Sequence, residues 1–112
     1  MLSFQRLDVY RCAIQFVTNA MHIAEKVPRG HADLKDQLRR AAFSVPLNIA
    51  EGAGRASDTD GARHYAIARG SAMECAAVLD VIRALNAGSE QEYEQAIQLL
   101  ERLVAMLTKM CR

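Results

Sequence analysis

Apolar side chains recur every three to four residues along most of the chain, which is the spacing of one face of an α-helix. Prolines and glycines are few, and they divide the chain at Pro28–Gly30, at Gly52–Gly54 and at Gly88. The stretches between these breaks are rich in good helix formers, and none alternates apolar and polar residues as a strand does. The pattern therefore predicts four helices, over about 5–26, 32–53, 57–86 and from 89 onward. Four helices with short connections form an all-α, up-and-down four-helix bundle.

The first predicted helix is apolar over more of its circumference than one packing layer requires. Its apolar residues fill an arc of about 200°, whereas a helix on one core needs little more than about 100°. Its polar residues occupy the remaining sector of roughly 120°. We therefore expect this helix to face another subunit as well as its own core.

The second predicted helix carries two stripes at helical spacing and a proline between them. The apolar stripe is Leu34, Leu38, Ala41, Val45 and Ile49. The polar stripe is Arg40, Ser44, Asn48, Glu51 and Arg55, at steps of four, four, three and four residues. Pro46 removes a backbone donor and clashes with the preceding turn, at a cost of ~3 kcal/mol in a helix interior. Its position predicts a kink, or a break near Ser44–Val45.

Length and composition limit the class of protein. The 112 residues, 51% of them hydrophobic, predict one domain over residues 1–112 with a true core. No apolar run approaches the ~18 residues of a membrane span, and the N-terminus has no signal-peptide pattern, so we expect a cytoplasmic protein. The net charge of +1 gives no global basic character, although residues 1–56 carry +3 and residues 57–112 carry −2.

Candidate chemistry is sparse. Cys12, Cys75 and Cys111 are an odd number of scattered thiols among apolar residues, so we expect buried free cysteines and no disulfide framework. His22, His31 and His64 fall on separate elements without zinc spacing, and no Glu-x-x-His pair supports a di-iron site. No phosphate-binding loop or nucleophile elbow occurs. The sequence predicts no catalytic residues, no metal and no cofactor.

The polar stripe of the second helix has two interpretations. In the structural one, Asn48 and Glu51 satisfy groups around Pro46 or bond to Ser71 and Glu74 on the third helix. Arg40 or Arg55 would then neutralise Glu51 or Glu74 in a buried pair. In the functional one, Arg39, Arg40 and Arg55 form an accessible surface that binds phosphate, through backbone charge because aromatic residues are only 5%.

Several segments resemble one known family. They are Phe4–Tyr10, Gln37–Ala42, Ser44–Gly52, Gly54–Arg55 and Ile67–Cys75, and they occur in the family's order over nearly the whole chain. The chain is thereby identified as a member of the bacterial four-helix bundle family, also named after intervening sequences of 23S rRNA genes. The resemblance implies an up-and-down bundle that assembles as a homopentamer and has no established enzymatic activity. A related retroelement accessory protein is strongly basic and binds nucleic acid and a reverse transcriptase.

Three hypotheses follow. The first is a non-enzymatic, oligomeric bundle that serves as an adaptor for RNA, DNA or a nucleic-acid-handling protein. The second is a pure protein-interaction scaffold, in which the stripe of Ser44, Asn48 and Glu51 is a buried network next to Pro46 and Gly52. The third is an unrecognised hydrolase or metal enzyme.

Overall fold

The computed structural model describes residues 1–112 and contains four long helices and no strand. The helices are α1 (Asp8–Glu25), α2 (Ala32–Ala53), α3 (Asp58–Ala84) and α4 (Glu90–Met110). Each contacts the next in sequence and α4 returns to α1, while no Cα atoms of diagonal helices lie within 8 Å of each other. This cyclic order confirms the up-and-down four-helix bundle, which measures 44 × 25 × 23 Å.

The helix boundaries agree with the sequence patterns at most ends. Ser57 Oγ accepts from the Asp60 amide at 3.1 Å, and Ser89 Oγ accepts from the Glu92 amide at the same distance, so each serine caps its helix. The first helix begins later than predicted, because residues Ser3–Arg6 form a separate 3-10 turn. The third helix ends two residues early, at Ala84.

The turn between α3 and α4 explains why the third helix ends where it does. Asn86 has a φ of 57° and Gly88 a φ of 89°, both in the left-handed region. The Ala87 amide donates to the Ile82 carbonyl at 3.2 Å, and the Asn86 amide donates to the Arg83 carbonyl at 2.9 Å. These two bonds form a Schellman motif, which closes the helix and turns the chain toward α4.

One core runs through the bundle. The predicted apolar stripe of α2 lies in it, since Leu38, Val45 and Ile49 are fully buried and Ala41 nearly so. The largest fully buried side chains are Phe16, Leu38, Ile49, Leu79, Leu103 and Leu107. Pro46 is buried within α2, and the helix continues through it without the alternative break near Ser44–Val45. The kink stays a prediction.

The wide apolar arc of α1 is mostly used inside the chain. Tyr10, Val17 and Met21 pack against the core beside the fully buried stripe. Ile14 is the one large apolar side chain of α1 that is strongly exposed, at 43%. Much of the arc is therefore packed against α2, α4 and the N-terminal turn, and contact of α1 with another subunit stays a prediction.

Candidate functional site

The polar stripe of α2 lies along the seam between α2 and α3. Ser44 and Asn48 are half-buried there, and they face Ser71 and His64 on α3. The stripe reaches the seam because α2 buries its neighbouring apolar stripe in the core, which turns the adjacent face toward α3. We refer to Ser44, Asn48, His64 and Ser71 as the seam network.

The seam network is a connected set of hydrogen bonds. Asn48 Nδ2 donates to the Ser44 carbonyl at 2.9 Å and to Ser44 Oγ at 3.0 Å. Ser71 Oγ donates to Ser44 Oγ at 2.7 Å, which joins the two helices. Ser44 Oγ thus accepts two hydrogen bonds, and neither serine hydroxyl is hydrogen-bonded to His64.

His64 is the member that the sequence patterns did not bring to the network. Its Nδ1 lies 3.3 Å from Asn48 Oδ1, and only 9% of the residue is exposed. Because the Asn48 amide nitrogen donates to Ser44, its oxygen accepts, and the bond assigns the proton to His64 Nδ1. Nε2 is then a buried acceptor with no partner in the chain. The signal in the sequence was the seven-residue step from His64 to Ser71, which places both on one face of α3.

The two helices approach closely at one end of this seam. A Cβ added to Gly52 would lie 2.6 Å from Tyr65 Cε1 and 3.0 Å from the Gly61 carbonyl oxygen. A Cβ added to Gly61 would lie 3.0 Å from the Gly52 carbonyl oxygen. Gly52 is thus required by close backbone packing, and Gly61 is the matching residue that sequence reasoning missed.

The charged ends of the stripe do not form the predicted buried pair. Glu51 pairs with Arg55 at 2.7 Å on the surface, where their side chains are 54% and 40% exposed. Glu74 accepts a 3.4 Å hydrogen bond from Gln37 instead of pairing with an arginine. Of the predicted pairs, Arg55 with Glu51 therefore forms, but its expected burial was wrong, because both residues lie on the solvent side of the seam.

The three arginines of the functional interpretation do not form one cluster. Arg39 lies 3.8 Å from Asp36, and Arg40 is exposed and has no carboxylate within ion-pairing distance. Arg40 lines a depression with Asp33, Asp36, Arg39 and Phe43, and a second one with Glu74 and both network serines. Arg55 lies fifteen residues farther along, about 22 Å at the rise of an α-helix.

The cysteines are free, and two are buried. Burial raises the pKa of the Cys75 thiol to about 12, with a smaller contribution from the Glu74 carboxylate. Burial also raises the pKa of Cys12, whose Sγ donates to the Leu99 carbonyl at 3.6 Å. Both thiols stay protonated in the folded protein at neutral pH, which makes them poor nucleophiles and poor metal ligands.

Nowhere in the chain do three or more His, Cys, Asp or Glu side chains converge as metal ligands would. None of the helices combines the length and the apolar content that a membrane span requires.

Comparison with known proteins shows what the chain is similar to. No curated protein matches the sequence. Among solved structures, a protein of unknown function from the S23 ribosomal protein family of Bacteroides thetaiotaomicron VPI-5482 superimposes with a TM-score of 0.80 at 18% identity. The match covers 93% of this chain and 98% of that one, and at this identity it supports the fold alone. The model of the 23S rRNA-intervening sequence protein family matches residues 5–109. The chain therefore belongs to the 23S rRNA-intervening sequence protein family.

Proposed function

We propose that this chain is a non-enzymatic helical-bundle protein that acts by assembling with copies of itself into an oligomeric adaptor. One observation carries the proposal: large apolar side chains are exposed along α3 and directly after it, between exposed charged residues such as Arg63 and Asp80. They are Ile67, Met73 and Val81 on α3 and Leu85 just past its end, and each is between 45% and 53% exposed. The resemblance to the bundle family implies five copies.

The outward apolar residues exceed what a surface helix normally carries. A helix packed on one core has charged and polar residues on the opposite face, and a helix that is apolar all round is usually covered on both sides. Phe43 and Leu47 add two exposed apolar side chains on the neighbouring helix α2. Exposed apolar groups that cluster on adjacent elements mark interaction sites, whereas isolated ones do not.

The seam network supports a structural rather than a catalytic role. His64 contacts the Asn48 amide and no hydroxyl, so neither Ser44 nor Ser71 has a base that would activate it. The bonds from Ser71 to Ser44 and from His64 to Asn48 join α3 to α2, and the other two lie within α2. This arrangement favours the scaffold hypothesis over a hydrolase.

Measurement of the mass in solution tests the assembly. Size-exclusion chromatography with light scattering, at tens of micromolar protein, should give a particle several times the 12.4 kDa of one chain. The assembly should persist at high salt, since burial of apolar surface rather than charge drives it. A monomer under both conditions would contradict the proposal.

RNA binding is the second candidate, and exposed Arg40, free of any ion pair, is the observation in its favour. Each RNA phosphate that the protein neutralises should add about −0.7 to −0.9 to the slope of log affinity against log salt. An Arg39→Ala, Arg40→Ala, Arg55→Ala variant should reduce that slope. A control variant with Ala at the exposed positions Arg6, Arg63 and Arg112 should not. Equal slopes for the two variants would remove these arginines from consideration.

A further inference from the structure

Two separate apolar surfaces on the chain differ in shape. The α2 ridge is formed by Phe43 and Leu47, one helical turn apart and 44% and 66% exposed. The α3–α4 groove is a depression between those two helices that is lined almost entirely by apolar side chains. Its accessible lining is Met73, Ala76, Ile97, Val104 and Ala105, with Ala72 and Leu100 beneath. The ridge and the groove share no residue, and no Cα atom of α2 lies within 8 Å of one in α4.

From this pair of surfaces we propose that copies of the chain associate head to tail, with the α2 ridge of one copy seated in the α3–α4 groove of the next. This inference rests on the assembly proposed above and adds to it the surfaces that meet. A contact between two different surfaces is heterologous, so each copy uses its ridge on one neighbour and its groove on the other. Such a contact closes into a ring when the rotation between copies allows it.

Charge favours a second copy as the occupant of the groove. Glu101 lines the groove and makes no ion pair within the chain. Arg40 borders Phe43 beside the ridge and is likewise free of ion pairs, while the same depression also holds the paired Asp36 and Arg39 and the carboxylate of Asp33. An apolar ridge next to a free cation complements an apolar groove next to a free anion, so docking would offset both charges as well as cover both surfaces.

Paired variants test the head-to-tail contact. Leu47→Asp alters the ridge and Met73→Asp alters the groove, and both positions are more than half exposed, so the bundle should fold in each case. Ile14→Asp is the matched control, because Ile14 is an exposed apolar residue on α1 that belongs to neither surface. Circular dichroism should show the same helix content in all four proteins. If Met73→Asp loses helix content, Ala105→Asp serves as the groove variant in its place.

Light scattering of the separate and mixed variants then gives the result. The wild type and Ile14→Asp should assemble, whereas each altered surface alone should leave a monomer. An equimolar mixture of Leu47→Asp and Met73→Asp retains one intact ridge and one intact groove, so it should form a species of twice the 12.4 kDa chain mass and no larger. A mixture that stays monomeric, or variants that assemble like the wild type, would overturn the head-to-tail contact while leaving self-assembly standing. A monomeric wild type would overturn both proposals.

Charge reversal tests whether Arg40, beside the ridge of one copy, meets Glu101, in the groove of the next. Arg40→Glu alone should weaken association about two- to fivefold, as expected for a pair at the edge of an interface. Combining Arg40→Glu with Glu101→Arg should restore it. A double variant weaker than either single variant would show that these two residues do not meet across the contact.

Discussion

The seam between α1 and α4 and the seam between α2 and α3 are held together differently. The first buries large side chains of α1 and α4, among them Phe16, Leu103 and Leu107, and its side-chain hydrogen bonds run from Cys12 Sγ to the Leu99 carbonyl at 3.6 Å and from Lys26 Nζ, just after α1, to Glu92 at 2.6 Å. In the second, Gly52 and Gly61 let the two backbones come close, and the seam network joins the helices. Large buried side chains stabilise the bundle by filling its interior. Close backbones and directed hydrogen bonds instead restrict which residues can lie opposite one another.

The largest effect should come from volume in the first seam. Phe16→Ala should lower the free energy of unfolding by about 3–5 kcal/mol, because it removes buried apolar surface and leaves a cavity. Chemical denaturation at one fixed protein concentration measures this, since assembly couples stability to concentration. Ile14→Ala, on the outward face of the same helix, should cost less than about 1 kcal/mol. If both variants lowered the free energy of unfolding by similar amounts, the volume of buried side chains would not be what stabilises this seam.

A smaller effect is expected from the seam network. Asn48→Ala should lower the free energy of unfolding by about 1–3 kcal/mol, because His64 Nδ1 and Ser44 Oγ would lose a partner at half-buried or buried positions. The control is Asn19→Ala, in a surface groove between α1 and α4, which should change stability little. If the two asparagine variants behave alike, the network does not contribute to the second seam.

Replacing glycine by alanine should have opposite effects on stability at two positions, because another backbone lies close to only one of them. Gly52→Ala should destabilise by about 1–2 kcal/mol, since the clash with Tyr65 and the Gly61 carbonyl outweighs the better helix propensity of alanine. Gly70→Ala meets no atom within 4 Å and should stabilise by about 0.5–1 kcal/mol. Thermal unfolding of both variants checks the sign. A stabilising Gly52→Ala would remove close packing as the reason for this glycine.

The smallest effect is expected at the exposed end of the stripe. Glu51→Ala removes a surface ion pair with Arg55 and should cost less than about 1 kcal/mol. The loss should shrink further in high salt, where exposed charges are screened. A loss as large as that of Asn48→Ala would show that Glu51 is covered in solution, as it would be beneath a second copy of the chain.

The features that the sequence predicted correctly depend on local spacing. The buried positions Leu38, Val45 and Ile49 follow from the 3.6-residue period, and the caps at Ser57 and Ser89 follow from the residues that start helices. Errors occurred where a residue's surroundings come from another helix. Glu51 was placed in a buried pair although it faces solvent, and its pair with Arg55 lies on the surface.

The sequence by itself determined four helices, most of their ends and their core-facing stripes, because these depend on side chains three to four residues apart in the chain. Only the tertiary structure decided which neighbour each remaining face would meet. It brought His64 to Asn48 and Gly61 to Gly52, and it left the α2 ridge and the α3–α4 groove uncovered. The reason is that contacts between helices depend on the crossing and rotation of whole helices, which no local spacing in the sequence specifies.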